Sequence, residues 1–401
     1  MSRLDELINE LCPNGVEFKC LGDIGQVKMC KRILKSQTNT NGGIPFYKIG
    51  TFGGEANAFI SEELFQEYRE KYSYPKVGEI LISAAGTIGR TVVYDGEPAY
   101  YQDSNIVWLA HDESNILNTF LRYCYELKPW NISSGGTIAR LYNDNILKAK
   151  VPVPPLEVQR EIVHILDSFT LLTAELTAEL TARKKQYEFY RDELLSVKKN
   201  IPIVKLGDIA TEFYRGSGIK RDEVTDTGIP CVRYGEIYTT YNTWFDKCVS
   251  YTKLDFVKSP KYFENGDILF AITGESVEDI AKSVAYIGHE KCLAGGDIVV
   301  MKHKQNPRYL AHVLATTEAR MQKSKGKVKS KVVHSNIPSI KEIQIPLPSL
   351  DVQEKYANVL DNFEAICTNL NIGLPAEIEA RQKQYEYYRD LLLTFAETGS
   401  T

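Results

Sequence analysis

The run Arg320-Met321-Gln322-Lys323-Ser324-Lys325-Gly326-Lys327-Val328-Lys329-Ser330-Lys331 places six cations on a segment broken up by Ser and Gly. Cations spaced this way neutralise successive phosphates, which gives affinity for a polyanion without sequence information. A solvated loop is the plain alternative. At the same point of the first half stands Ser133-Ser134-Gly135-Gly136-Thr137-Ile138-Ala139-Arg140, small and polar, where backbone can approach a ligand closely. Phosphate contacts are therefore expected from Ser133, Ser134, Thr137 and Arg140, and from Lys323, Lys325, Lys327, Lys329 and Lys331. A second set has paired donors or acceptors of the kind that read base edges, as Arg does with guanine and Asn or Gln with adenine. It comprises Lys31, Arg32, Lys48, Arg90, Gln102 and Asn105, then Arg215, Lys220, Arg221, Arg233, Tyr234 and His334. Taken singly, each is an ordinary surface residue. The expectation rests on the set.

Other chemistry is missing. The chain has neither a glycine-rich cofactor loop nor an Asn/Asp-Pro-Pro-aromatic motif, and Asn306-Pro307-Arg308 comes nearest. No G-x-x-x-x-G-K-[ST] loop cradles a nucleotide phosphate. Glu126-Leu127-Lys128 is half of a nuclease motif, but strings this short arise by chance. The six histidines form no ligand pattern, and the eight cysteines contain no C-x-x-C pair, so no metal is expected and the thiols read as reduced and buried. These absences predict a protein without a catalytic site and without a cofactor of its own.

The positioning elements come as a duplication. Ala182-Arg183-Lys184-Lys185-Gln186-Tyr187-Glu188-Phe189-Tyr190-Arg191-Asp192 returns 198 residues later as Ala380-Arg381-Gln382-Lys383-Gln384-Tyr385-Glu386-Tyr387-Tyr388-Arg389-Asp390. Pro152 to Gln159 returns 194 residues later as Pro346 to Gln353, and the two offsets differ by about one helical turn. Fainter echoes pair Leu21-Gly22-Asp23-Ile24 with Leu206-Gly207-Asp208-Ile209, Gly43-Ile44-Pro45 with Gly228-Ile229-Pro230, and Gly78-Glu79-Ile80-Leu81 with Gly266-Asp267-Ile268-Leu269. Each half thus holds a divergent head and a matched stalk, with heads at 1–150 and 200–347 and stalks at 151–199 and 348–401.

The stalks read as helices. Ile162, Leu166, Phe169, Thr173, Leu176, Leu180, Arg183, Tyr187, Tyr190 and Leu194 follow heptad steps, which predicts a helix over 156–197. Tyr356, Leu360, Phe363, Leu370, Arg381, Tyr385, Tyr388 and Leu392 repeat the pattern, with a break expected at Gly373 and Pro375. Neither helix buries its seam alone, so the two are expected to pair antiparallel. An intermolecular dimerisation coiled coil is the simpler use of such a seam, and the internal duplication argues against it. Short apolar runs in the heads, such as Ile80 to Ser83, Ile106 to Leu109, Ile268 to Ala271 and Ile298 to Met301, predict strands, with helices near 114–128 and 306–323. The predicted fold is mixed α/β, with two globular heads joined by two long helices under a pseudo-two-fold.

The net charge of −4 hides an uneven distribution: residues 200–347 sum to +4 and residues 348–401 to −5. An acidic stalk facing a protein partner leaves basic head surface for a polyanion. No apolar run reaches bilayer length and the N-terminus is polar, so no membrane association is expected and the cytoplasm is the expected compartment.

Nearly the whole chain resembles the specificity subunits of Type I restriction-modification systems. The resemblance rests on the Pro155-to-Gln159 and Pro348-to-Gln353 segments, the two Arg-x-Lys-Gln-Tyr-Glu-(Phe/Tyr)-Tyr-Arg-Asp stretches, the duplicated layout, and the tandem Thr173-Ala174-Glu175-Leu176-Thr177-Ala178-Glu179-Leu180. It implies that each head binds half of a bipartite double-stranded DNA target while the paired helices set the gap. It implies two methylation subunits docked on the helices, methylating adenine with S-adenosylmethionine, and restriction subunits that translocate and cleave. Two other readings remain open at this point: a non-enzymatic scaffold with two ligand-binding α/β heads, and the reader half of a fused restriction enzyme.

Overall fold

A computed structural model describes residues 3–131, 140–197, 200–327, 332–368 and 373–397. The chain divides into two compact units, one made of residues 1–174 with 380–401 and the other of residues 175–379. Each unit therefore takes one sheet region, the start of one long helix and the end of the other. This is what an antiparallel pairing of duplicated helices produces.

In the first unit a four-stranded sheet runs in the order Gln26–Lys28, Ile106–Ala110, Ile80–Ser83, Thr91–Val93, beside a smaller sheet of Phe59–Ile60, Ile44–Tyr47 and Tyr100–Tyr101. The central strands are apolar throughout because both faces are covered. Ile80, Ile82, Val107 and Leu109 enter the core shared with the helices, while Leu81, Ile106 and Trp108 enter the core shared with the small sheet. The second unit repeats the plan with a five-stranded sheet ordered Ala210–Arg215, Ile298–His303, Ile268–Ala271, Ser283–Tyr286, Trp244–Phe245. Ile268, Phe270, Val299 and Met301 face the helices, and Leu269, Ala271, Ile298 and Val300 face away. The period of two assigns each side chain to a layer.

The helix predicted over 156–197 spans Leu156–Leu194, about 58 Å at ~1.5 Å per residue. Its repeat is two helices, Leu350–Thr368 and Leu374–Leu392, and Gly373 takes φ +81°, a left-handed value that glycine adopts without strain. The expected break is therefore present. In the second unit Tyr187 lies by Glu364, whereas Lys184 and Arg183 lie by Cys367, so the two helices run antiparallel. In the first unit Phe169 stacks on Tyr388 with ring centroids 5.4 Å apart.

The heptad reading holds for Ile162 and Leu166 and fails toward the end of the helix, where Arg183 and Tyr190 are exposed and Arg191 and Leu195 are buried. A straight helix drifts about 20° per heptad from a 3.5-residue repeat, which moves the buried positions from Tyr190 and Leu194 to Arg191 and Leu195, with Tyr187 half-buried. The predicted seam residue Phe363 is likewise 44% exposed, and Leu370 lies outside the described residues. The expected helix at 114–128 is Asn118–Glu126. That at 306–323 is two helices, Pro307–Leu314 and Thr317–Ser324, separated because Thr316 caps the second through Ala319 N–H.

Two buried amides explain the Pro-to-Gln motif. Gln159 accepts from Leu117 N–H at 2.8 Å and donates to the Pro154 and Asn115 carbonyls at 2.7 and 2.8 Å. Gln353 accepts from Asn306 N–H at 3.0 Å and donates to the Pro348 carbonyl at 2.8 Å and to Gln305 Oε1 at 3.0 Å. Each ties the start of a long helix to the N-cap of the helix its own sheet region sends down. An unpaired buried amide is costly, so both must be satisfied together.

Candidate nucleic-acid interface

Strand register decides where the candidate loops fall. In the first unit Lys28 pairs with Trp108, Ser83 with Ile106, and Ile82 with Thr91. The chain leaving Lys28 toward Lys31 and Arg32, the 84–90 turn carrying Arg90, and the entry to Ile106 carrying Asn105 therefore share one end of the sheet. Ile44–Tyr47 and Tyr100–Tyr101 run parallel, so Lys48 and Gln102 emerge together. Gln102 Oε1 accepts from Ile49 N–H at 2.9 Å, and the Arg90 guanidinium donates to the Phe52 carbonyl at 2.8 Å. Ser83, buried, donates to Thr87 O at 2.5 Å and accepts from Arg90 N–H at 2.8 Å, which pins the turn. Arg140 donates to the Ser104 carbonyl at 2.7 Å. Lys48, Arg90, Gln102, Asn105 and Arg140 thus surround one sheet end. Lys31 extends from it over the Tyr72 ring at 5.0 Å, and Arg32 is exposed beside it.

The second unit makes the same arrangement from other residues. Arg215 pairs with Val299 and Ala271 with Ile298, and Cys231–Val232 runs parallel to Leu293–Ala294, so Arg215, Arg233 and Asp297 share one end. His334 pairs with Thr273 at that end and Thr273 Oγ1 lies 3.2 Å from its Nδ1. Arg221, Arg233 and Tyr234 line an open cavity of about 710 Å³ whose walls include Gly218, Gly235, Gly295 and Gly296. An adjoining groove of about 460 Å³ holds Arg215, Lys220, Lys258, Lys261 and Phe256. Two of the arginines are held by carboxylates: Arg215 by Asp297 at 2.5 Å, and Arg233 by Glu236 at 3.2 Å, itself fixed by Ser250 Oγ at 2.7 Å. Arg221 has no ion-pair partner among the described residues.

Arginine and lysine heads beside glycine walls give this sheet end cations and close backbone access together. A family model described as the Type I restriction modification DNA specificity domain matches residues 13–183 and, a second time, residues 198–380. The chain belongs to that family. The double match is the duplication read from the sequence. A Haemophilus influenzae protein described as a type I restriction enzyme specificity subunit is 58% identical over 180 residues, 44% of this chain and 47% of that protein, so the alignment takes in about half of it. The type I restriction enzyme EcoR124I/EcoR124II specificity subunit of Escherichia coli is 31% identical over 309 residues, 71% of this chain and 72% of its own. In structure, a chain solved for the complex assembly and conformational transition of the type I R-M system covers 95% of this one, with a TM-score of 0.63 and 12% identity.

The specificity-domain fold sorts the sequence candidates. Lys325 is exposed and Lys327 half-exposed, whereas Lys329, Lys331, Ser133, Ser134 and Thr137 lie outside the described residues. Lys323 does not behave as a phosphate lysine. Its ammonium is buried, donating to Ser283 Oγ at 3.0 Å and the Leu314 carbonyl at 2.8 Å, and burial with the nearby Arg320 and Lys282 cations brings it down to about 7. Helix periodicity turns position 323 inward and its neighbours outward. Lys258 and Lys261, missed in the sequence, sit in Phe256-Val257-Lys258-Ser259-Pro260-Lys261, whose Ser-Pro turn between cations was the available signal. His312, Asp361 and Glu364 bring ligand atoms within 4.8 Å of one another, but the Asp361 carboxylate already accepts from Trp244, Arg308 and His312, and Glu364 from Thr243. That cluster is a packing joint. No helix among the described residues is long and apolar enough to cross a membrane.

Proposed function

We propose that this chain is the DNA-reading subunit of a Type I restriction-modification complex, acting in the cytoplasm. Heads at 1–150 and 200–347 each read one half of a bipartite double-stranded target. Two methylation subunits dock on the helical stalks at 151–199 and 348–401, and restriction subunits join through the complex. Chemistry belongs to those partners. The observation that carries the reading is the convergence, in both units, of independently read cationic side chains on one sheet end, joined by amides in the first unit, although the two sets share almost no sequence. The glycine walls around Arg221 and Arg233 admit a duplex edge closely, and the cations of the adjoining groove supply phosphate contacts.

The test is coexpression with the neighbouring methyltransferase followed by genome-wide mapping of methylated adenine. A bipartite motif that appears only when both chains are present is expected. Methylation unchanged by deleting this chain would reject the reading. The tandem Thr-Ala-Glu-Leu units sharpen it, because one added unit lengthens the Leu156–Leu194 helix by ~6 Å and turns it by ~40°. At ~3.4 Å per base pair, the preferred gap should grow by about one or two base pairs.

A further inference from the structure

The two copies of the frame differ at one buried corner. In the first unit Glu126, at the end of the helix Asn118–Glu126, brings its carboxylate to two residues of the helix Leu374–Leu392. Tyr385 donates its hydroxyl to Oε2 at 2.5 Å, and the Arg389 guanidinium lies 3.5 Å from the same oxygen. Tyr385 and Arg389 correspond to Tyr187 and Arg191 at the 198-residue offset. Leu117 and Asn306 correspond because their N–H groups meet the two buried glutamines, and the same step carries Glu126 to Ala315. The first unit thus has an anion built into this corner, and the second has a methyl group in its place.

A cavity of about 290 Å³ lies there, with Tyr187, Arg191 and Ala315 on its wall. Arg191 keeps the bond to its neighbour Asp192 at 2.9 Å, as Arg389 does to Asp390 at 2.7 Å, and has no second carboxylate among the described residues. Tyr187 turns instead to His312. The helix Thr317–Ser324 then adds Lys323, whose buried ammonium bonds to two neutral oxygens and makes no ion pair among the described residues. Lys282 opens onto the same cavity and likewise donates to neutral groups, the Tyr238 and Tyr241 carbonyls, both at 3.3 Å.

The carboxylates on the wall do not restore the balance at Lys323. Asp279 is held by Arg320 at 2.9 Å, Glu364 accepts from Thr243 at 2.5 Å, Glu278 accepts from Ser276 at 2.7 Å, and Glu188 is exposed one turn from the exposed Lys184. The charges that act on Lys323 from nearby, Arg320 and Lys282, are both positive. A buried cation without a counter-ion is costly, and a bound anion removes that cost. The cations come from three directions: the long helix, the residue ahead of the strand Ser283–Tyr286, and the helix Thr317–Ser324. A tetrahedral oxyanion offers acceptor oxygens on every side, whereas a carboxylate offers two in one plane. We propose that this cavity binds phosphate, free or as the monoester of a small molecule, between Arg191 and Lys323. At 6% exposed, Lys323 is too deep for a duplex phosphate to reach, so the site is separate from the sheet end that reads DNA.

The test is equilibrium dialysis of the full chain, copurified with its methyltransferase partner, against radiolabelled inorganic phosphate, with chloride holding the ionic strength constant. A phosphate bound by this chain is expected, and Lys323→Met should weaken it about tenfold or more, because a hydrogen bond to a charged group is lost. Ala315→Glu should abolish it by supplying the carboxylate that Glu126 supplies in the first unit, while its circular dichroism matches that of the parent chain. Adenosine monophosphate that displaces the label at a lower concentration than phosphate itself would assign the site to a monoester, and displacement only at an equal or higher concentration would assign it to the free anion. Absence of bound phosphate would overturn the inference. Binding left unchanged in a folded Ala315→Glu chain, or in Lys323→Met, would overturn it equally.

Discussion

Tyr123 in the first unit and His312 in the second hold matching places on the helices Asn118–Glu126 and Pro307–Leu314, which the sheet regions send to the frame. Both reach an aspartate at the same frame position: Tyr123 donates its hydroxyl to Asp167, and His312 Nε2 lies 2.7 Å from Asp361 Oδ1. The neighbours then differ. Tyr187 meets His312 Nδ1 at 3.1 Å, whereas its repeat Tyr385 donates to Glu126 Oε2 at 2.5 Å. The frame thus presents an aspartate at the same position in both units and leaves the residue that meets it from the sheet-region side free. This is how divergent heads can be exchanged on one pair of stalks.

The sharpest way to break that equivalence is to remove both aspartates in turn. The Asp361 carboxylate accepts from His312, Trp244 and Arg308, whereas the Asp167 carboxylate accepts from Tyr123. Asp361→Ala should cost about 4 kcal/mol because it strands a buried imidazole and an indole N–H and removes one of the two carboxylates that hold Arg308. Asp167→Ala should cost about 1–2 kcal/mol. Urea unfolding followed by circular dichroism measures both, and equal losses would show that the two joints are not built differently.

Next in size are the two glutamines. Gln159→Ala and Gln353→Ala each leave a buried N–H and a buried carbonyl without a partner and should each cost about 3 kcal/mol. Here the comparison predicts sameness. A loss confined to one of the two variants would separate the units mechanically.

A smaller effect follows from His111 and His303, which lie at matching places at the ends of the central strands Ile106–Ala110 and Ile298–His303. Each accepts a backbone N–H at Nδ1, from Glu113 at 3.1 Å and from Gln305 at 3.0 Å. Burial pushes both imidazoles below the ordinary value, His303 to about 4. The folded state therefore keeps His303 neutral while the unfolded chain takes up a proton below pH ~6.5, so stability is full above that pH and is lost as the pH falls toward 4. From pH 7 to pH 5 the loss from His303 should be about 2 kcal/mol. A His303→Gln variant should flatten that part of the profile in urea titrations at the two pH values, and an unchanged slope would remove His303 as its cause.

Much of the frame was legible because it is repetitive. The Pro-to-Gln segments, the Tyr-Arg-Asp stretches and the break at Gly373 each recur or carry a backbone constraint that one sequence displays. The equivalence of Tyr123 and His312 was not legible, since it lies in the aspartate each one meets and not in a residue type. The heads show the same limit. Alternation placed Leu81 and Leu269 in strands, but register alone brought Arg32, Arg90 and Asn105 to one sheet end. Lys323 shows it most directly, because a run of like charges looks uniform until helix geometry turns one lysine inward.

The last contrast separates the heads from the frame. Arg221 lines the cavity of the second unit without an ion-pair partner among the described residues, so Arg221→Ala should change stability by less than about 0.5 kcal/mol. If its guanidinium reads a base edge, the substitution should cost about 1–3 kcal/mol of discrimination at one position and relax the methylated motif there, in the half read by the second head and nowhere in the other. If it meets a phosphate instead, binding should weaken uniformly across sequences and the salt dependence should fall by about one counterion. Methylome mapping with salt-titrated DNA binding tells these apart. A change in the half-site read by the first head would contradict both, because it would mean that the two sheet ends do not read independently.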